Sequence, residues 1–314
     1  MRACDLCGRK AIVKDVNAGI ALCENCLFDS VKERAYRVFR EELRPDDRVL
    51  VALSGGKDSS LALYLTKMYS DDVGLEVLAL TVDEGTFYRK ASIQIAKKLA
   101  SSLGVEHVVV SMEDVHGISI EELHHKLPKG HKRSACTYCG VLRRQTINAA
   151  ARKLGATAVV TGHNLDDVVQ TGLMNLIRGD VNALSKLFVH ERKLKEGLIP
   201  RVKPLKMVYE REVAALVLAL KIPAHLGKCP YTQGMRIGIR RTIDHLEEEF
   251  PGSKLRALEV LEAMAKSYKE EVKLRRCEIC GEPTTSRLCK ACQMKKELSE
   301  ILNKSLLKPL ELRL

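Results

Sequence analysis

Ten of the eleven cysteines in this chain fall into five Cys-x-x-Cys pairs. Cys4/Cys7 and Cys23/Cys26 stand near the N-terminus, and Cys277/Cys280 and Cys289/Cys292 near the C-terminus. Two such knuckles close together supply four thiolates, a tetrahedral set for Zn²⁺. Each terminal quartet is therefore read as a structural zinc site, whose metal supplies folding energy to a module too short for its own core. Cys136, Cys139 and the unpaired Cys229 remain. Three thiolates cannot close a Cys₄ site. They can hold a [4Fe–4S] cluster by three corners and leave one iron open. A catalytic zinc with three ligands and a water competes with that reading, as does a redox pair with Cys229 as a bystander.

A second chemical centre is Ser54-Gly55-Gly56-Lys57-Asp58-Ser59-Ser60. The apolar run Val49–Leu53 before it reads as a buried strand, and Leu61–Met68 after it as a helix. Strand, glycine turn and helix N-terminus form an anion cradle, to which Lys57 and the serine hydroxyls add a cation and donors. The spacing is not that of a Walker A loop. Further along, Thr161-Gly162-His163-Asn164-Leu165-Asp166-Asp167 ends another apolar run. Paired carboxylates there suit Mg²⁺ beside phosphates, while Asn164 suits a helix cap.

The elements that must position these groups alternate. Strands are expected at Leu75–Val82, Glu106–Ser111 and Ala156–Thr161, with helices at Ser30–Leu43, Ser92–Leu103, Arg143–Leu154 and from Asn164 to Leu176. The alternation predicts an α/β fold with a doubly wound parallel sheet. Ligands of such sheets bind at the carboxyl ends of the strands. That places Ser54–Ser60, Asp83 and Asp166/Asp167 around one crevice. Further helices are expected at Tyr209–Leu220, after Arg236, and at Lys254–Val272. Residues 117–133 read as a basic mobile segment, 190–206 as a basic connection and 293–314 as a helix with a loose end. The domains follow: a zinc finger at 1–30, a nucleotide domain at 31–272, and a second finger with its tail at 273–314. The two fingers are of one kind and are expected to pack near each other.

A net charge of +12 and a pI near 9.2 point to a polyanionic partner, and 46% hydrophobic residues exclude a disordered chain. With aromatics at 4% and no Trp, a base-stacking platform is poorly supported. No apolar run reaches the roughly 18 residues of a membrane helix, and Met1-Arg2-Ala3-Cys4-Asp5 begins no signal peptide. A cytoplasmic protein with reduced cysteines is expected.

Ser54-Gly-Gly-Lys-Asp-Ser59 resembles the PP-loop of ATP pyrophosphatases, which split ATP into AMP and pyrophosphate. Together with Cys136-x-x-Cys139-Gly-Val-Leu-Arg-Arg144, Thr161–Asp167 and the late Cys229, it resembles the TtcA/TtuA superfamily of tRNA 2-thiolation enzymes. The terminal fingers match that superfamily's two-zinc-finger branch. Asp83-Glu84-Gly85 and Met174–Asp180 look closest to its archaeal NcsA and eukaryotic cytosolic wobble-uridine group, although its T-loop 2-thiolases are similar too. The resemblance implies ATP contacts from Ala52, Leu53, Ser54, Gly55, Gly56, Lys57, Asp58, Ser59, Ser60, Leu80, Val82, Gly162, His163 and Asp167. It implies catalytic roles for Cys136, Cys139, Cys229, Asp58, Asp166, Asp167 and Arg143, the last standing where the T-loop 2-thiolases tend to carry a Lys. Uridine C2 oxygen would be adenylated and then displaced by a sulfide carried on the iron–sulfur cluster, or by a persulfide on Cys139 or Cys229. The sulfur would come from a ubiquitin-like carrier protein or free sulfide. A homodimer is implied, with tRNA gripped by 124–133, 190–203 and 236–241. A PP-loop amidating or lysidine-forming ligase, or a tRNA-binding protein with an inactive loop, are the rival expectations.

Overall fold

The computed structural model describes all residues except 1, 16–17, 189–197, 228, 232–234, 269–273 and 313–314. At the N-terminus a small hairpin, β1 (Val13–Lys14) and β2 (Ala21–Leu22), lies between the first two knuckles. α1 (Glu24–Glu42) starts directly after Cys23, earlier than its expected start at Ser30. Its buried stripe, Leu27, Val31, Ala35, Val38 and Phe39, follows the helical period. Residue 30 therefore lies inside α1, which runs from the finger into the nucleotide domain without a linker.

The central elements follow as β3 (Arg48–Ala52), α2 (Lys57–Val73), β4 (Glu76–Asp83), α3 (Phe87–Ser102) and β5 (Glu106–Ser111). Next come α4 (Met112–His116), α5 (Ile120–Lys126), α6 (Ala135–Lys153), β6 (Ala158–Thr161), α7 (Leu165–Ile177), α8 (Val181–Phe188) and β7 (Arg201–Val202). The strands form one parallel sheet in the order β5-β4-β3-β6-β7. Strand order reverses between β3 and β6, and the crevice at their carboxyl ends is where such sheets bind ligands. β7 was not expected. Two paired residues carry too little pattern to separate a strand from a connection.

Both faces of the sheet are covered. Along β3, Val49 and Val51 enter a core with α1 and α2, while Leu50 enters a second core with α6. Cys4, Leu22 and Cys23 of the first finger belong to the first core. Cys277, Cys289 and Cys292 of the second finger belong to the other. The two fingers thus flank opposite faces of the sheet, contrary to the expectation that they neighbour each other.

The remaining elements are α9 (Glu210–Ala219), α10 (Met235–Glu249), α11 (Ser253–Ser267), the hairpin β8 (Arg275–Arg276) and β9 (Pro283–Thr284), and α12 (Lys290–Leu302). The end of the chain is not loose. Leu306 and Leu312 are buried against the second core, and Lys153 Nζ donates to the Leu312 carbonyl at 2.5 Å. Residues 117–133 also differ from expectation. Ser119 caps α5, and Ile118, Ile120 and Leu123 are buried. His131, Lys132 and Arg133 converge on Glu297 of α12. Among the described residues no helix is long and apolar enough to cross a membrane.

Candidate active site between the phosphate loop and the cysteine helix

Gly55 adopts φ +76°, and a Cβ there would run into the Ser92 carbonyl, so the turn after β3 requires glycine. Gly56 caps α2 without a side-chain acceptor for the first-turn N–H groups. Those N–H groups and the helix dipole are the cradle's attraction for an oxyanion. Ser59 Oγ donates to the Gly56 carbonyl at 3.0 Å, accepts the Ser54 N–H at 3.0 Å and lies 2.9 Å from Ser54 Oγ. The loop is thereby held before any ligand arrives. Gly162 presses on it from β6, since a Cβ there would lie 2.6 Å from the Ser59 nitrogen. Ser60 is fully buried, its hydroxyl unpartnered among the described residues, so it is not displayed as Ser54 is. Lys57 is turned sideways, with Nζ 2.7 Å from Asp58 and 2.9 Å from Glu210.

The paired carboxylates separate. Both oxygens of Asp166 are already engaged, by Lys254 Nζ at 2.5 Å and by the Glu210 N–H at 2.7 Å. That carboxylate is a buried structural anion and does not face the loop as a metal ligand would. Asp167 faces the site. Burial, and next the charge of Asp58, push its carboxyl up to about 6 against the pull of Arg236, 3.5 Å away. Asn164 caps α7 through the Asp167 N–H at 2.9 Å and donates to Asp58 at 2.8 Å. Asp58 and Asp167 are therefore two repelling carboxylates beside a phosphate cradle, the donor set that suits Mg²⁺. His163 accepts or donates at Thr161 Oγ1, 2.8 Å away. Burial drives its pKa down to about 3, helped by Lys203, Arg201, Arg143 and Arg236, so it is neutral in a positively charged basin. Ala52 and Leu53 lead into the loop, and the Leu53 N–H donates to the Leu80 carbonyl at 2.8 Å. The Val82 carbonyl takes Arg89 Nη2 at 3.0 Å. The carbonyls of Leu80 and Val82, two of the expected ATP contacts, thus already carry one donor each.

Cys136 lies in the first turn of α6 and Cys139 at the start of its second, not ahead of a helix starting at Arg143 as expected. The Ser134 cap again leaves the first-turn N–H groups without a side-chain acceptor, a setting that favours thiolates. Cys136 is exposed and Cys139 half-buried. Burial pushes the Cys139 thiol up to about 12, with Arg143 opposing and the charges of Glu84, Cys136 and Cys229 adding. The three cysteines therefore share one neighbourhood. The segment carrying Cys229 is fastened to the loop, since the His225 N–H donates to the Gly55 carbonyl at 2.7 Å and His225 bridges with Gly56. Tyr88 secures it further through the Gly227 carbonyl at 2.5 Å and an edge-on contact with the His225 ring.

Among the described residues only the two terminal quartets bring their sulfurs within 4.8 Å of one another. A single zinc with Zn–S bonds of about 2.3 Å needs sulfurs about 3.8 Å apart. The wider triad suits a multi-iron cluster better than a catalytic zinc. The quartets fit one metal ion each. In the first, Cys7 lies 3.4 Å from Cys23 and 3.5 Å from Cys26. Contacts with Arg9 draw Cys7 down to about 6, while its bond to Cys7 sends Cys26 up to about 12. Four crowded thiols cannot all ionise unless a cation joins them. In the second, the Cys289 N–H donates to Cys277 Sγ and Gln145 Nε2 to Cys280 Sγ, at 3.2 and 3.3 Å.

Sequence reasoning passed over Glu84, Arg89, Glu210 and His225 as site residues. Of these only Glu84 had a local cue, since it directly follows a strand whose carboxyl end faces the loop. The other three reach the site through tertiary contacts.

A parallel sheet whose reversal point carries this loop defines a PP-loop nucleotide-binding protein. The PP-loop domain model matches residues 28–223. The tRNA 2-thiolation protein NcsA of Haloferax volcanii is 35% identical over 93% of this chain and 97% of its own. The tRNA-5-methyluridine(54) 2-sulfurtransferase of Thermus thermophilus is 36% identical over 93% of this chain and 90% of its own. The structure of the U34-tRNA thiolase NcsA from Methanococcus maripaludis, solved with its [4Fe–4S] cluster, superposes with a TM-score of 0.83 at 29% identity, covering 99% of each chain. The chain belongs to the PP-loop family, in its tRNA 2-thiolation branch.

Proposed function

We propose that this protein is an ATP-dependent tRNA uridine 2-sulfurtransferase acting on the anticodon wobble uridine. The observation that carries the reading is the fastening of the Cys229 segment to Gly55 and Gly56. It holds the Cys229 segment against the phosphate loop, which supports activation and sulfur delivery in one crevice. The relatives' names and the cluster-bearing neighbour support the same reaction.

Uridine C2 oxygen is a poor leaving group. Its attack on the α-phosphate releases pyrophosphate and leaves an O-adenylate. A sulfur nucleophile then attacks C2, the C–O bond breaks and AMP departs. Ser54, Gly55, Gly56, Ser59 and the first-turn N–H groups of α2 hold the phosphates in this scheme. Asp58 and Asp167 would hold Mg²⁺, which would neutralise charge on the phosphates. His163, kept neutral, can donate or accept a hydrogen bond without adding charge. Arg143 is half-exposed and stays cationic beside Cys139, so it stabilises charge on the departing AMP without transferring a proton. Cys136, Cys139 and Cys229 would hold a [4Fe–4S] cluster, which supplies an open iron position for the sulfur. Cys4, Cys7, Cys23 and Cys26 would hold one Zn²⁺, and Cys277, Cys280, Cys289 and Cys292 another. A homodimer, a cytoplasmic location and sulfur from a carrier protein or free sulfide complete the proposal. Arg201, Lys203, Arg236 and Arg240 flank the crevice and suit the RNA backbone. Most of segment 190–203 lies outside the described residues.

The test is mass spectrometry of tRNA nucleosides after anaerobic incubation with ATP, Mg²⁺ and sulfide. A 2-thiouridine at the wobble position is expected. Thiolation confined to the T-loop would transfer the chain to the other sulfurtransferase group, and none at all would leave a ligase or an inactive RNA-binding protein.

A further inference from the structure

Among the described residues Glu84 is the one carboxylate that pairs with guanidiniums of both halves of the site. It directly follows β4, with its side chain only 5% exposed. One oxygen lies 3.1 Å from Arg143 Nη1 on the cysteine helix. The other pairs with Arg89 on α3. Arg89, itself buried, donates to the Ser54 carbonyl at 2.7 Å and to the Val82 carbonyl at 3.0 Å. The path Arg143–Glu84–Arg89–Ser54 therefore joins the cysteine helix to the phosphate loop. The backbone around Glu84 is fixed as well. Its carbonyl accepts the Ile120 N–H at 2.9 Å, and Gly85, at φ +67°, has no room for a Cβ against Ser119.

We infer that Glu84 is a positioning residue, which aims the Arg143 guanidinium and sets its distance from the loop. This deepens the thiolase reading and rests on it. Arg143 is half-exposed on a long, flexible stem, and Glu84 is its only carboxylate partner among the described residues. Without that anchor the guanidinium spends its time in solvent, and a displaced catalytic group can cost roughly 10²-fold in rate. A buried carboxylate placed between two guanidiniums also leaves Arg143 only partly neutralised. It stays available to a phosphate while its resting place is fixed.

The test is a double-mutant cycle on the full chain carrying its metals, with Glu84→Gln, Arg143→Gln and the pair. AMP formation with tRNA is read alongside 2-thiouridine, and the Kd of a non-hydrolysable ATP analogue alongside both. Glu84→Gln is expected to lower the rates about 10- to 100-fold with the analogue's Kd within about threefold. The double variant should be no slower than Arg143→Gln alone, and Glu84→Asp should recover part of the rate. Multiplying deficits, or a loss carried wholly by nucleotide affinity or by the thermal midpoint, would overturn the inference. A wild-type chain that forms AMP but no 2-thiouridine would instead sink the thiolase reading, while the cycle stays legible in AMP.

Discussion

The His225 N–H donates to the Gly55 carbonyl at 2.7 Å, across 170 residues of sequence. The bond lies in the turn of the phosphate loop and only four residues before Cys229, so one backbone contact holds the Cys229 segment against the loop. It also separates two losses. Cys229→Ala leaves the fastening intact. Anaerobically purified Cys229→Ala is expected to lose the visible absorbance of an iron–sulfur cluster and all 2-thiouridine formation, while ATP affinity stays within about threefold. Full thiolation by this variant would remove Cys229 from the proposed site.

Gly55→Ala should fail earlier. Its positive φ disfavours any side chain, and the added methyl would run into backbone, the Ser92 carbonyl, rather than into a side chain that can swing away. A destabilisation of roughly 2–4 kcal/mol is expected from urea unfolding, together with loss of ATP-analogue binding. Gly74→Ala serves as the control. It also has a positive φ, but nothing lies within 4 Å of its Cβ position, so it should cost only about 1 kcal/mol.

Asp167 should trade stability for function. Its pKa in the folded protein, about 6, stands above the ordinary 3.8. The native state therefore binds this proton more tightly than the unfolded chain. Its contribution is favourable below about pH 4 and is lost as pH rises through 6. Asp167→Asn should then raise stability above pH 6, by about 1 kcal/mol once its one-third exposure is discounted, with no gain at pH 4. Mg²⁺-dependent AMP formation should fall at least about 10-fold. Thermal melts at pH 4, 6 and 8 check the first claim. A variant less stable than wild type at pH 8 would contradict it.

The chemistry was more legible than its support. Ser54–Ser59 and the cysteine pairs announce themselves because a phosphate cradle and a thiolate site each need fixed residue types at fixed spacing. The sheet was legible because buried parallel strands read as apolar runs. Asp166 and Asp167 were not separable, since adjacent positions on a helix look alike until Lys254 arrives, 88 residues later, to claim one of them. The start of α6 was misjudged because Cys-Thr-Tyr-Cys-Gly carries little helical preference, and packing of Ala135, Tyr138 and Leu142 decides it. Placement of the two fingers on opposite faces depends on which core each joins, and the spacing of their cysteines carries no trace of that choice.

Lys295 lies one helical turn beyond Cys292 on α12. It is 1% exposed, and its ammonium has no hydrogen-bond partner among the described residues. An isolated buried charge is costly, and Lys295 lies within electrostatic reach of Cys292, Cys280 and Cys289. Four thiolates around one Zn²⁺ carry a net charge of −2, so a metal-loaded site would give this cation its counter-charge. The effect of Lys295→Met should therefore change sign with the metal. With zinc bound, the variant should lose metal to a chelator about 10- to 100-fold faster, as changes beside a metal site commonly do. After zinc is stripped, the same variant should unfold at higher urea than wild type, because a buried charge without its partner has been removed. Unchanged zinc release together with lower stability in both states would show that Lys295 only fills space.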